Sequence, residues 1–225
     1  MSTIDPIEAP PRPAPTMLIA AEQLTKAYGL MPALRGLTLS IPRGQSVALL
    51  GPNGSGKSTL IRLLTGLTRP TSGTLTVGGW RIPDEAAAVR AQIGLVSHRL
   101  LLYENLTARE NLQFFGRLYH LPPDVLEQRT VALLAQVGLS KRAHSLVRGF
   151  SRGMQQRLSI ARALLHQPDV LLLDEPYTGL DRSAAETLDT LLHDAQAAGR
   201  TVLLATHQFE QAAQLTQRVL ILGKG

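Results

Sequence analysis

The sequence predicts an α/β fold in which a mainly parallel sheet is covered by helices. Three features carry that expectation. Short, fully apolar runs such as VLLLD and TVLLAT end abruptly in polar residues and alternate with helical stretches in the last third of the chain. Another such run, QSVALL, leads straight into a glycine-rich loop and a helical pattern. The 225 residues are enough for one large domain with an inserted lobe, and too few for two ordinary domains with a linker.

Residues 1–16, MSTIDPIEAPPRPAPT, are proline-rich and aperiodic, and read as a disordered tail rather than a secretory signal. Order is expected from Met17. MLIAAEQLTKAYG and ALRGLTLSI read as two strands, and Pro42-Arg43-Gly44 turns the chain into QSVALL. After the glycine loop a helix is expected through about Leu67. TLTVGGWRI reads as a hairpin turning at Gly78-Gly79. The region from about Asp84 to Ser145 is mainly helical, interrupted by the β-branched run IGLVS that ends at His98. Thr107-Ala-Arg-Glu110 is a capping box ahead of Leu112, Phe115, Leu118 and Tyr119 at helical spacing. Pro122-Pro123 ends that helix, another runs to about Gly138, and a third covers roughly Ser151 to His166. Strand and helix then alternate: VLLLDE, a helix to Gly199, TVLLATH, a short helix and RVLIL.

Composition narrows the function. Without cysteine there is no disulfide framework and no thiolate metal site. The longest apolar runs fall far short of the roughly 20 residues that cross a bilayer. The net charge of +6 suits nucleic acid, an anionic membrane surface or nucleotide phosphates alike.

Gly51-Pro52-Asn53-Gly54-Ser55-Gly56-Lys57-Ser58, with Thr59 next, matches the G-x-x-x-x-G-K-[ST] phosphate loop in its required context, after a strand and opening a helix. Glycines let the loop wrap phosphate oxygens with backbone N–H groups, and the helix N-terminus adds partial positive charge. Lys57 is expected to reach the β- and γ-phosphates of a nucleoside triphosphate, and the Ser58 hydroxyl to ligate Mg²⁺. Asp174 and Glu175 end an apolar strand at the sheet edge where such folds bind ligands. Asp174 is the expected Mg²⁺ partner, through water, and Glu175 the group that orients or deprotonates the attacking water. His207 ends the next edge strand, placed to bond the γ-phosphate and the water near Glu175.

Between these motifs, Phe150-Ser151-Arg152-Gly153-Met154-Gln155-Gln156-Arg157 enters a helix and resembles the signature of the ATP-binding cassette (ABC) ATPases, LSGGQ followed by Q-x-R. Ser151 and Gly153 match; Arg152 and Met154 depart. The resemblance runs from about Leu18 to Leu222. It includes Tyr28 at the adenine-stacking position and the Gly179-Leu180-Asp181 loop after the acids. It implies an ATPase domain over 17–225. Within it lie a P-loop NTPase core with a RecA-like parallel sheet, an antiparallel β subdomain and an inserted helical signature subdomain at about 95–165. It also implies ATP and Mg²⁺, and a head-to-tail homodimer in which Ser151 and Gly153 of one chain face the triphosphate held by Lys57 of the other. That arrangement is physically sensible, because a serine-led helix tip brings N–H donors and positive dipole to a site with no obvious arginine finger.

In most of these cassettes the strand matching IGLVS ends in glutamine, which contacts Mg²⁺ and the attacking water; here it is followed by His98. A histidine there looks like the ATPase of the haem exporter of cytochrome c maturation, and SHRLLLYENLTARENLQFFGRLY is similar to that subfamily. The resemblance implies a peripheral subunit at the cytoplasmic face of the bacterial inner membrane. It would drive separate integral membrane permease subunits through the lobe around Leu100–Tyr119, with no direct haem binding. The alternative is the same motor serving another cargo, a drug, lipid or polysaccharide. A nucleic-acid partner is not expected, since no long heptad run separates Lys57 from Asp174.

Overall fold

The computed structural model describes residues 16–223, so the tail expected at the N-terminus lies, up to residue 15, outside the described residues. Two sheets organise the chain. Strands β1 (Met17–Tyr28), β2 (Met31–Pro42), β4 (Ser72–Val77) and β5 (Trp80–Arg81) form an antiparallel sheet in the order β2-β1-β4-β5. The Gly78-Gly79 hairpin is present, with Val77 opposite Trp80. Strands β3 (Ser46–Leu50), β6 (Ile93–Val96), β7 (Val170–Asp174), β8 (Thr201–Thr206) and β9 (Arg218–Ile221) form a parallel sheet in the order β6-β7-β8-β3-β9.

The unbroken apolar character of β7 and β8 follows from burial on both faces. Val170 and Leu172 of β7, with Leu203 and Ala205 of β8, pack into a core shared with the antiparallel sheet and α1 (Lys57–Leu64). Leu171 and Leu173, with Val202 and Leu204, point the other way. They meet α5 (Arg152–Leu164) and α6 (Arg182–Ala197). Successive side chains on a strand face opposite sides, so one strand serves both cores. Each fully buried leucine here contributes about 1.5–3 kcal/mol.

The inserted helices begin where the sequence signals place them. Thr107 caps α3 (Ala108–Leu118) reciprocally with Glu110: Glu110 N donates to Thr107 Oγ1 at 3.2 Å and Thr107 N to Glu110 Oε2 at 2.8 Å. Pro123 opens α4 (Pro123–Gln136) at a position whose N–H has no intrahelical acceptor anyway. Helix α1 stops at Leu64, short of the expected Leu67. There Thr65 Oγ1 turns back to the Ile61 and Arg62 carbonyls, and Gly66 takes φ 66° to leave the helix. Short helices α2 (Ala86–Ala91) and α7 (Phe209–Leu215) complete the layers. Among the described residues no helix is long and apolar enough to cross a membrane.

Candidate active site

The loop between β3 and α1 and the C-terminal end of β7 enclose a cleft of about 200 Å³, lined by Ala33, Asn53, Gly54, Gly56, Lys57, Ser58, Thr59, Asp174 and Glu175. Gly56 is fixed by its surroundings. Its φ of 99° disfavours any side chain, and a Cβ would come within 2.5 Å of the Ala33 carbonyl oxygen on β2. Gly54, at φ 81°, faces open space, as a cradle for an incoming group requires. The Lys57 side chain is buried and folds back on the loop: its Nζ donates to the Gly51 carbonyl at 2.6 Å and to that of Pro52 at 3.1 Å. Ser55, also buried, donates its N–H to the Pro52 carbonyl at 3.2 Å and stiffens the turn.

Asp174 is only 9% exposed at the end of β7. Burial pushes its carboxyl above the ordinary range, and the neighbouring Glu175 adds to the rise. A hydrogen bond with Ser58, and the charges of Lys57 and His98, oppose it. One oxygen, Oδ1, is buried with no hydrogen-bond partner among the described residues. Such an orphaned oxygen beside the Ser58 hydroxyl is a hard donor pair of the kind Mg²⁺ accepts while keeping waters and phosphate oxygens as its other ligands. No cluster of three or more His, Asp or Glu side chains makes an alternative metal site among the described residues.

Glu175 sits in left-handed backbone, φ 51°, with its N–H bonded to the Ala205 carbonyl at 2.8 Å. Thr206 Oγ1 donates to its Oε2 at 3.1 Å, and His207 Nδ1 lies 3.0 Å from both carboxylate oxygens. Because a carboxylate only accepts, Nδ1 carries the proton.

The remaining expected residues fall around this centre. His98 is exposed in the loop after β6, within electrostatic reach of Asp174, although it does not line the cleft. Tyr28 ends β1 opposite Met31, half exposed, with Lys26 Nζ 4.9 Å above its ring; the same hairpin brings Ala33 to the cleft. Ser151 caps α5, its Oγ accepting from Met154 N at 3.3 Å, and Asp181 caps α6, its Oδ1 accepting from Ala184 N at 2.8 Å. Neither Ser151, Gly153, Asp181 nor Tyr28 lines the cleft of its own chain.

A profile of the ABC transporter family matches residues 34–178, which run from the edge of the cleft to just past Glu175. The chain belongs to the ABC transporter family. As an ATP-binding cassette ATPase it is similar to the Nod factor export ATP-binding protein I of Ralstonia nicotianae. The two are 41% identical over 97% of this chain and 68% of that protein. It is 38% identical to the linearmycin resistance ATP-binding protein LnrL of Bacillus subtilis, over 92% of this chain and 67% of that protein. The chain thus spans about two thirds of the curated relatives it matches. Among solved structures, it superposes with a TM-score of 0.84 on a dimeric ATP-binding cassette in a post-hydrolysis state bound to ADP and Pi. That structure is 30% identical, with 92% of this chain and 95% of that one covered.

Two residues of the cassette's site escape the motif reading. Thr206, the last residue of β8, grips Glu175; its signal is a lone hydroxyl ending an apolar strand. Gln156 is buried on α5 and donates to the Pro176 carbonyl at 2.9 Å, tying the signature helix to the peptide just after Glu175. It falls on the unspecified position of the Q-x-R run, so the motif gives no sign of this partner.

Proposed function

We propose that the chain is the ATP-hydrolysing subunit of an exporter. Two copies pair head to tail around ATP at the cytoplasmic face of the membrane and pass their motion to separate membrane subunits. One observation carries this reading: the buried, unmet oxygen of Asp174 stands beside Lys57 and Ser58, next to a Glu175 carboxylate gripped by Thr206 and His207.

In this reading the triphosphate displaces the Gly51 and Pro52 carbonyls as the partners of Lys57. Ser58 and Asp174 would hold Mg²⁺, which would supply neutralisation of the triphosphate's negative charge. Glu175 orients the attacking water and takes its proton. His207 already spends its Nδ1–H on Glu175, so Nε2 is the ring nitrogen left to face the γ-phosphate. Gly153 supports delivery of the signature in trans. Within the chain a methyl there would meet nothing closer than Ala184 Cβ at 3.9 Å, so alanine, the better helix former, would fit. The chain itself gives no reason for that glycine; close approach of a partner's phosphate does. The dimeric form of the solved cassettes supports the same pairing.

For cargo, the relatives favour an exporter other than the haem exporter: their names speak of Nod factor export and of linearmycin and daunorubicin resistance. The description of a solved cassette from Clostridium perfringens as part of an ABC transporter complex supports membrane partners (TM-score 0.83, 28% identical, 94% of this chain and 86% of that one covered). Haem export is the second reading. Its support is His98 in the glutamine position and the similarity of the segment that follows.

Glu175→Gln tests the chemistry. Its turnover falls by about 10²-fold or more while Mg-ATP shifts the chain to a dimer on gel filtration; wild-type turnover in this variant contradicts the reading. Purification from membranes tests the partnership, with co-purification of an integral membrane protein as the expected result.

A further inference from the structure

Two of the three positions at which this chain departs from the cassette pattern, His98 and Arg152, touch. Arg152 Nη2 donates to the His98 carbonyl at 3.2 Å, across 54 residues of sequence. The Arg152 stem also packs at the loop after Glu175, where a Cβ on Gly179 would lie 3.3 Å from its Cγ. With Glu104, Val147 and Gln155 the side chain borders a cavity of about 200 Å³ beneath the His98 loop. Arg152 forms no ion pair among the described residues, so the carbonyl bond is its directed polar contact.

Helix α5 holds the His98 loop at a second point. Arg162 is buried; its Nη2 donates to the Leu95 carbonyl at 2.7 Å and its Nη1 to that of Leu101 at 3.2 Å. Ten residues apart on one helix, the two arginines stand about 15 Å apart along its axis. The buried one bolts the far end of α5 to the roots of the loop. The exposed one grips the loop's middle, beside Ser151.

We infer that Arg152 is a positioning residue that clamps the His98 loop to the first turn of the signature helix. The inference rests on the head-to-tail reading above. There, Ser151 serves the triphosphate of the partner copy while His98 stands near Asp174 of its own chain. Arg152 therefore joins the two nucleotide sites of the dimer: arrival of phosphate at one serine-led tip shifts α5, and the clamp moves His98 in the other site. A lysine preserves this link, because an ammonium also donates to a carbonyl; a methionine keeps the apolar stem and loses the donor.

The test uses the full chain with Mg-ATP and two variants, Arg152→Met and Arg152→Lys. Arg152→Met lowers kcat about fivefold, the worth of one hydrogen bond, and leaves the KM for ATP within about twofold; Arg152→Lys stays within about twofold of wild type in both. In NMR spectra of the same proteins the ring resonances of His98 move in Arg152→Met. Those of His166, on the turn after α5, do not. Unmoved His98 resonances, unchanged kcat, or equal loss in both variants overturns the clamp. Glu175→Gln assayed alongside separates the two readings: if it loses turnover while Arg152→Met keeps it, the clamp falls and ATP hydrolysis stands.

Discussion

His207 Nδ1 lies 3.0 Å from each carboxylate oxygen of Glu175, and Thr206, its neighbour in sequence, donates to the same group. Two consecutive residues at the end of β8 thus fix the acid at the end of β7. Left-handed backbone at a non-glycine residue costs on the order of 1–3 kcal/mol, and the Glu175 N–H bond to Ala205 is part of what holds it there. The strain aims a carboxylate that would otherwise rotate freely.

If His207 and Thr206 aim Glu175, removing them misdirects it without unfolding the chain. His207→Ala should lower ATP turnover about 10- to 100-fold, and Thr206→Val about fivefold or less, with thermal stability little changed in both. Steady-state rates beside melting curves check this.

Asp174 predicts a trade of stability against function. Its carboxylate is held in a site that raises its pKa, chiefly by burial, so the charged form destabilises the fold until a cation arrives. Asp174→Asn should raise the melting temperature in the absence of Mg²⁺ and abolish the further rise that Mg-ATP gives the wild type. Calorimetry with and without Mg-ATP reads both arms. A variant that melts lower without Mg²⁺ contradicts the electrostatic account.

His166 predicts a pH dependence. It stacks on Tyr119 with ring centroids 3.7 Å apart, its Nε2 lies 3.1 Å from the Ile93 carbonyl, and its Nδ1 is buried without a partner. Burial lowers its pKa to about 4, against the Ile93 bond and with help from Arg129, Arg162 and Arg200. Above pH 6.5 the ring is neutral whether folded or unfolded, and nothing is lost. As pH falls from 6.5 toward 4 the unfolded chain binds the proton first, and stability drops by on the order of 1–3 kcal/mol. His166→Phe, which keeps a stacking ring, should show a flatter melting profile between pH 7 and 5, even from a lower starting point.

Much of this was legible because backbone chemistry dictates residue type. Only glycine meets the φ of 99° and the 2.5 Å approach at position 56, so the phosphate loop is written in the sequence. The Thr107 capping box and the turn at Gly78-Gly79 are equally local. Strand order was not legible. The packing of β3 between β8 and β9 is decided by crossover connections, and no local pattern encodes it. Arg162 reads as the polar face of a basic helix, yet it is buried against carbonyls 61 and 67 residues away. The cargo was least legible. His98 and the segment that follows it pointed to haem, whereas the relatives that match nearly the whole chain are named for Nod factor export and linearmycin resistance.

The most direct test of the central claim is ATP turnover per chain, measured across a wide range of protein concentration. A site completed by the Ser151 tip of a second copy predicts that the rate per chain climbs with concentration until dimers saturate, and that Ser151→Ala depresses the whole curve. A flat curve, unmoved by that substitution, would show that one chain suffices.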